Sequence, residues 1–290
     1  MFNLSRYATV NLNVYAKDFT TYRVGGKADC IVTPNNEDDF ISTLKLLYLY
    51  GVDYYVIGKG SKLLVSDKGV KKILLSTINA NDVYVKGNYL YANAGVSVGK
   101  LLSTCKAYGL TGLEFLSGIP ATVGGLVALN GGAFSQSVFD KIVNLTVFSN
   151  GEVRTFSPTK DSFGYRFSPI RAFDTVISCT FKLDFLDTAT VSNNIKSYLL
   201  RRSHQPKGRS CGSVFKNPDG CFAGELIERC ALKGKSIGGA VVSNQHANFI
   251  LANEDATATD VYNLLRLVKS TVKDKFNVNL EEEVILLGDF

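Results

Sequence analysis

Two glycine-rich segments and one short polar run hold most of the residue types in this chain that could do chemistry. Val56-Ile57-Gly58-Lys59-Gly60-Ser61 follows an apolar stretch, and Gly118-Ile119-Pro120-Ala121-Thr122-Val123-Gly124-Gly125 lies in the middle of the chain. Glycine lets backbone N–H groups approach a phosphate closely, and successive N–H groups form an anion-binding concavity, so a pyrophosphate is a fitting guest. Neither segment is a Walker loop, because no GKS or GKT follows at that spacing, and neither is a G-x-G-x-x-G opening a helix. Taken alone, short glycine motifs mark tight turns more often than phosphate sites. The polar run, Cys211-Gly212-Ser213-Val214-Phe215-Lys216-Asn217-Pro218, places a hydroxyl, an ammonium and an amide beside a glycine and a proline. That density is unusual for a turn, although a hairpin accounts for it equally well.

Two further places complete the inventory. Arg166, in Tyr165-Arg166, reads by itself as a surface cation, and Leu280-Glu281-Glu282-Glu283-Val284 as a solvated face before a strand from Val284 to Leu287. The two histidines, His204 and His246, have no neighbouring Ser or Cys pattern that would make a triad. With six cysteines scattered and no CxxC pair, no metal site is expected.

The elements that must position these residues are mixed. Helices are predicted over Asn36 to Tyr50 and Ser97 to Tyr108, each closed by a glycine, and over Ser192 to Arg202. Another starts at a Thr259 cap and aligns Val261, Leu264, Leu265, Val268 and Val272 on one face. Val83-Tyr84-Val85 and Tyr89-Leu90-Tyr91 flank Gly87-Asn88, and Val143 to Phe148 and Val153 to Phe156 flank Asn150-Gly151; both are hairpin signatures. Antiparallel pairs among helices predict an α+β fold rather than a doubly wound parallel sheet. A composition break at Asp187 to Ser192 places a domain boundary there, giving 1–187 and 188–290.

The 290 residues, 46% hydrophobic and 20% charged, can bury a sizeable core and exceed the roughly 100 to 200 residues of a usual single domain. The net charge of +6 is spread along the chain, so it suits anionic small molecules and does not imply nucleic acid. The absence of a basic-then-apolar leader and of any run of roughly 18 apolar residues leads us to expect a soluble, cytoplasmic protein with reduced thiols and no membrane partner.

Taken in order, the segments resemble the UDP-N-acetylenolpyruvoylglucosamine reductase family. The resemblance rests on Thr20-Thr21-Tyr22-Arg23-Val24-Gly25-Gly26, Gly58 to Leu64, Gly112 to Pro120, Asn130-Gly131-Gly132-Ala133 and Tyr165-Arg166-Phe167-Ser168. It continues through Gly212 to Pro218, His246-Ala247-Asn248-Phe249 and Glu281-Glu282-Glu283-Val284, spanning about Thr20 to Gly288. It implies an FAD-binding part of the vanillyl-alcohol-oxidase type over 1–187, in two subdomains of about 1–75 and 76–187, and a substrate-binding domain over 188–290. It also implies FAD as cofactor, NADPH as hydride donor and a UDP-sugar as substrate. Carried over residue by residue, the flavin site falls on Gly58, Gly60, Ser61, Gly118, Ile119, Thr122, Gly124 and Gly125. The catalytic set falls on Arg166, Ser213 and Glu283, with Lys216, Asn217 and His246 near the substrate.

The chain departs from the family pattern in three places. Phe134 stands where a tyrosine is common, and Cys211 stands where the residue is usually small and unreactive, which leads us to expect a thiol open to oxidation or alkylation. Only Phe167 to Asp174 separates the Tyr-Arg motif from the next strand, as in the family's shorter form, which lacks a loop tyrosine for the substrate. His204, Arg209 and His246 are then the candidates for gripping the UDP diphosphate. Two other classes stay open at this level: a sugar or alcohol oxidase on the same flavin fold, and a flavin- or nucleotide-binding module without activity.

Overall fold

The computed structural model describes residues 4–171 and 174–290. The chain forms two compact units: one comprises residues up to Asn11, Cys30–Gly58 and Ile73–Ser203, the other Leu12–Asp29, Lys59–Lys72 and His204–Phe290.

The first unit is built on a five-stranded antiparallel sheet. Its strands, in spatial order, are Glu152–Phe156, Ile142–Ser149, Thr175–Lys182, Tyr89–Asn93 and Val83–Lys86. Both expected hairpins are present: Lys86 pairs with Tyr89, and Ser149 with Glu152. Asn150 and Gly151 both have positive φ (50° and 86°), as a two-residue turn matched to strand twist requires. Tyr54–Ile57 and Ile73–Ser76 pair in parallel. Four helices belong here: α1 (Glu37–Leu49), α2 (Val98–Ala107), α3 (Val123–Ala128) and α4 (Thr188–Arg201). α1 and α2 start where the sequence predicts, with Asn36 and Ser97 accepting the N–H groups of Asp39 and Lys100. Leu101, Leu102 and Cys105 of α2 enter a core with Leu90, Leu145, Val147 and Phe181 of the sheet, while Phe40, Leu44 and Leu47 of α1 meet Val32, Leu75 and Ile177 in another.

The second unit is organised by α6 (Ala258–Phe276), preceded by the short α5 (Ala223–Arg229). Val261, Leu264, Leu265, Val268 and Val272 of α6 are buried, as their spacing demands. They pack with Tyr22, Leu64, Phe215, Ala240, Val242, Ile250 and Leu280. Three short antiparallel strands, Ser236–Ile237, Ala240–Val242 and Ile250–Ala252, lie in this unit, and Leu63–Val65 pairs in parallel with Ile285–Leu287.

The architecture is α+β, and it corrects the sequence reading in two respects. α4 begins at Thr188, because Asp187 accepts the N–H of Thr190 and so caps it four residues earlier than expected. α6 is capped by Thr257 rather than Thr259, whose N–H and hydroxyl instead donate to Asp67. The two compact units are each drawn from several stretches of the chain. Ile195 and Tyr198 of α4 pack on the core of the first unit, and Leu63–Val65 joins the second by pairing with Ile285–Leu287.

Thr257 and Asp260 cap α6 reciprocally: Thr257 Oγ1 accepts the Asp260 N–H at 3.0 Å, and Asp260 Oδ2 accepts those of Thr257 at 3.0 Å and Gly239 at 3.2 Å. Partial burial opposes the Asp260 charge, but the hydrogen bonds from Thr257 and Gly239 outweigh it and hold the carboxyl below its ordinary range. Asp260→Asn is therefore expected to cost about 1 kcal/mol in urea denaturation at neutral pH. Because the folded pKa lies below the unfolded one, this contribution is complete above the ordinary aspartate range, near pH 4, and is lost as pH falls through the folded value. The gap between wild type and variant should narrow at about pH 3; a constant gap would assign the effect to hydrogen-bond shape rather than charge.

Candidate active site

Ser213 and Glu283 are brought together by backbone pairing. Glu283 N donates to Val214 O at 2.8 Å, Lys216 N to Glu281 O at 2.9 Å, and Phe215 forms a bridge with Glu282, so residues 213–216 and 281–284 run antiparallel. Along these segments Val214, Phe215, Glu283 and Val284 are buried, while Lys216 and Glu281 lie nearer the surface, joined by an ion pair of 3.1 Å. On its other side the serine segment is bridged from Ser213 to Phe249. The Asn248 side chain clamps Phe215 there, accepting its N–H at 3.0 Å and donating to its carbonyl at 2.9 Å.

A cavity of about 550 Å³ opens in this unit, lined by Ser213, Asn217, Phe222, Glu225, Glu228, Arg229, His246 and Asn248 among others. Of the expected substrate residues, Asn217 and His246 line it and Lys216 does not. Asn217 Oδ1 accepts the Ala223 N–H at 3.1 Å, which ties it to the start of α5. His246 Nδ1 accepts the Asn248 N–H at 3.2 Å, so a neutral ring carries its proton on Nε2. Burial is the main cause holding its pKa below the usual histidine value, assisted by the positive charge of Lys233. His204 and Arg209 do not line the cavity; Arg209 lies 3.8 Å from Glu254, and the cation on the cavity wall is Arg229.

Lys62 reaches into the same framework. Its Nζ lies 3.0 Å from Glu283 Oε1 and donates to Ser213 O at 2.8 Å. Cys211 is buried, with Sγ 3.6 Å from Tyr22 Oη. Burial raises both the thiol and the phenol, so both stay neutral near pH 7. The thiol expected to be reactive is thus enclosed and protonated, and Cys211 acts as a packing residue.

The glycine segments divide between the units. Gly58, Gly118, Ile119, Thr122, Gly124 and Gly125 belong to the first unit, and Gly60 and Ser61 to the second. In the first, Gly58, Thr122, Gly124, Gly125 and Asp174 line a cavity of about 110 Å³; Gly118 and Ile119 do not. A Cβ at Gly58 would collide with Thr122 Oγ1, and one at Gly124 would come within 2.9 Å of Ala94 Cβ, whereas at Gly125 the nearest atom is 3.7 Å away. Glycine therefore serves close packing at the first two positions and leaves the wall open at the third. Asp174 Oδ1 is buried without a hydrogen-bond partner among the described residues. This donor set fits a cofactor part bearing hydroxyl or amine groups better than a diphosphate, because a carboxylate repels phosphate. In the second unit, Gly60 has φ 59° and a Cβ there would strike Phe19 O, so the backbone conformation itself demands glycine.

Arg166 lies in the first unit at the tip of a two-residue turn, where Gly164 and Phe167 exchange both N–H···O bonds at 3.0 Å. Its φ of 52° is unusual for a residue with a side chain and is held by the surrounding loop. Asn130 braces that loop by donating to Gly164 O at 2.7 Å. Phe134, the expected departure, stacks under the Arg201 guanidinium at 3.9 Å and beside the Tyr198 ring. Among the described residues no cluster of three or more His, Cys, Asp or Glu could hold a metal ion. The sequence reading overlooked Lys62 and Asn248 as functional residues, although both sit inside matched motifs, and Arg229 and Asp174, for which the motifs contain no signal.

Residues 28–157 match an FAD-binding domain, and residues 204–287 match the C-terminal domain of UDP-N-acetylenolpyruvoylglucosamine reductase. The chain is 36% identical over 277 residues to UDP-N-acetylenolpyruvoylglucosamine reductase of Clostridium kluyveri, spanning 94% of this chain and 91% of that one. It is 38% identical over 277 residues to the enzyme of that name from Geobacillus kaustophilus, with the same coverage. The crystal structure of UDP-N-acetylenolpyruvylglucosamine reductase from Thermus caldophilus superposes with a TM-score of 0.85 at 32% identity, covering 97% of this chain and all of that one. The chain belongs to the UDP-N-acetylenolpyruvoylglucosamine reductase family.

Proposed function

We propose that this chain is an FAD-dependent oxidoreductase that uses NADPH to reduce the enolpyruvyl group of UDP-N-acetylglucosamine enolpyruvate to UDP-N-acetylmuramate. This is a cytoplasmic step of peptidoglycan precursor synthesis, on which cell shape and division depend. The observation that carries the reading is the pairing of the Ser213 and Glu283 segments beside a cavity large enough for a nucleotide sugar. Among the described residues no helix is long and apolar enough to cross a membrane.

The residues that would hold the flavin are Gly58, Gly60, Ser61, Gly118, Ile119, Thr122, Gly124 and Gly125, with Asp174 accepting from a hydroxyl or amine. When bound, the flavin supplies a hydride, originating on NADPH, to the terminal carbon of the enolpyruvyl double bond. Charge then accumulates on the substrate carboxylate as an enolate. Arg166 is assigned to balancing that charge, and Glu283 is assigned to the catalytic set as its acidic member. Ser213 gives a proton to the adjacent carbon: its O–H bond breaks, the new C–H bond forms, and solvent later restores the hydroxyl. A serine hydroxyl is a feeble acid, but a carbanion is basic enough to take its proton. Asn217, His246 through Nε2–H, and Arg229 are the donors on the cavity wall for the sugar and diphosphate.

The purified protein is expected to be yellow, with FAD released by acid precipitation; a colourless protein that FAD cannot reconstitute would overturn the reading. NADPH should bleach the flavin anaerobically, and the enolpyruvyl substrate should restore the oxidised spectrum. Reoxidation by oxygen with no faster phase on adding the UDP-sugar would point to an oxidase instead.

Ser213→Ala separates the two halves of the reaction. Reduction by NADPH needs no proton delivered to a substrate carbon and should keep its rate, while the return of oxidised flavin should slow by about 10²- to 10⁴-fold, the range of a positioned general acid. Slowing of less than roughly tenfold in stopped-flow traces would remove Ser213 from the role of proton donor.

A further inference from the structure

We propose that Lys62 is a positioning residue for the proton-transfer half of this reaction, acting through Glu283; the inference rests on the function proposed above. Lys62 is tied to the carboxylate's segment twice. Its carbonyl accepts the Ile285 N–H at 2.7 Å, two residues beyond Glu283, and its side chain turns back so that Nζ lies 3.0 Å from Glu283 Oε1. The same ammonium donates to the Ser213 carbonyl at 2.8 Å. One side chain therefore contacts both the carboxylate and the peptide that carries the serine.

The surroundings make this contact consequential. The Glu283 side chain is only 6% exposed and that of Lys62 23%, so water screens the pair little. The other titratable groups beside them, Cys211 and Tyr22, are buried and neutral near pH 7 and offer no competing charge. The remaining nearby acids are engaged elsewhere: Glu282 with Lys269 at 2.8 Å, and Glu281 with Lys216 at 3.1 Å. The ammonium holds the carboxylate in one rotamer, and its bond to the Ser213 carbonyl sets the distance between the two segments. Thr21 supports the same segment upstream, donating to Ser210 O at 2.7 Å.

The test compares Lys62→Met and Lys62→Arg with wild-type holoenzyme, reading flavin content, melting temperature, bleaching by NADPH and reoxidation by UDP-N-acetylglucosamine enolpyruvate. Lys62→Met, which keeps the apolar stem, is expected to bind FAD and bleach normally while reoxidation slows by about 10- to 100-fold, the scale of a misplaced catalytic group. Lys62→Arg, which keeps the cation, should recover most of that rate. If the pair served folding alone, melting temperature would fall with both phases retained or slowed together; that outcome, or reoxidation by Lys62→Met within about threefold of wild type, overturns the proposal.

Should Lys62→Met fail to fold because the buried Glu283 carboxylate has lost the ammonium beside it, the double variant Lys62→Met/Glu283→Gln removes both charges. Reoxidation no slower than in Glu283→Gln alone supports action through the carboxylate. A further tenfold loss, or failure of the double variant to fold, overturns it. A wild-type protein that bleaches with NADPH but is not reoxidised by the UDP-sugar would instead sink the function proposed above.

Discussion

The chemistry of the second unit depends on backbone hydrogen bonding between segments that are remote in sequence. Residues 281–284 pair antiparallel with 213–216, and the chain then continues into Ile285–Leu287, which pairs in parallel with Leu63–Val65. A single stretch of about seven residues near the carboxy terminus thus organises the glycine-containing turn on one side and the serine segment on the other. Packing does the rest: Val214 and Phe215 are both buried in the core of this unit, so the segment is enclosed on both faces. Asn248 reinforces this by replacing a missing strand partner with its own amide, so Phe215 is paired on both sides without an extended sheet.

Charge is handled by enclosure. The site combines a buried carboxylate, a partly buried ammonium, a neutral thiol and a neutral phenol, surrounded by Leu64, Val214, Phe215 and Val284. In such surroundings an ion pair is felt at close range and little screened, which is the condition under which a fixed charge influences an adjacent reaction. Apolar packing and reactivity therefore come from the same residues.

Much of this was legible beforehand, for identifiable reasons. α1 and α2 carry caps and closing glycines, both hairpins carry two-residue turns, and the apolar stripe of α6 repeats over five positions, so local rules suffice. α3 and α5 were missed because they span only six and seven residues, too short for periodicity to register. The compact units are not visible in sequence for a different reason. Composition sees neighbours in sequence, whereas Leu12–Asp29 and Lys59–Lys72 join the second unit through contacts with its carboxy-terminal part. At the site, Ser213 and Glu283 could be named from motif resemblance, but nothing in the spacing reveals that Lys62 turns back towards them. Cys211 was misjudged because reactivity depends on burial, which a residue's neighbours in sequence do not report.

The pairing of Leu63–Val65 with Ile285–Leu287 also bears on how the protein is made. The Ser66 hydroxyl donates to the Asp289 carbonyl, 223 residues further along the chain. During synthesis the second unit cannot be completed until residues 285–289 have emerged, and Leu64 and Tyr22 must wait without the core they will enter. Contacts of such long range are reached slowly, and an unpaired strand is a site for misassociation in the interval. Loss of residues 285–290 would accordingly leave Leu63–Val65 without its parallel partner.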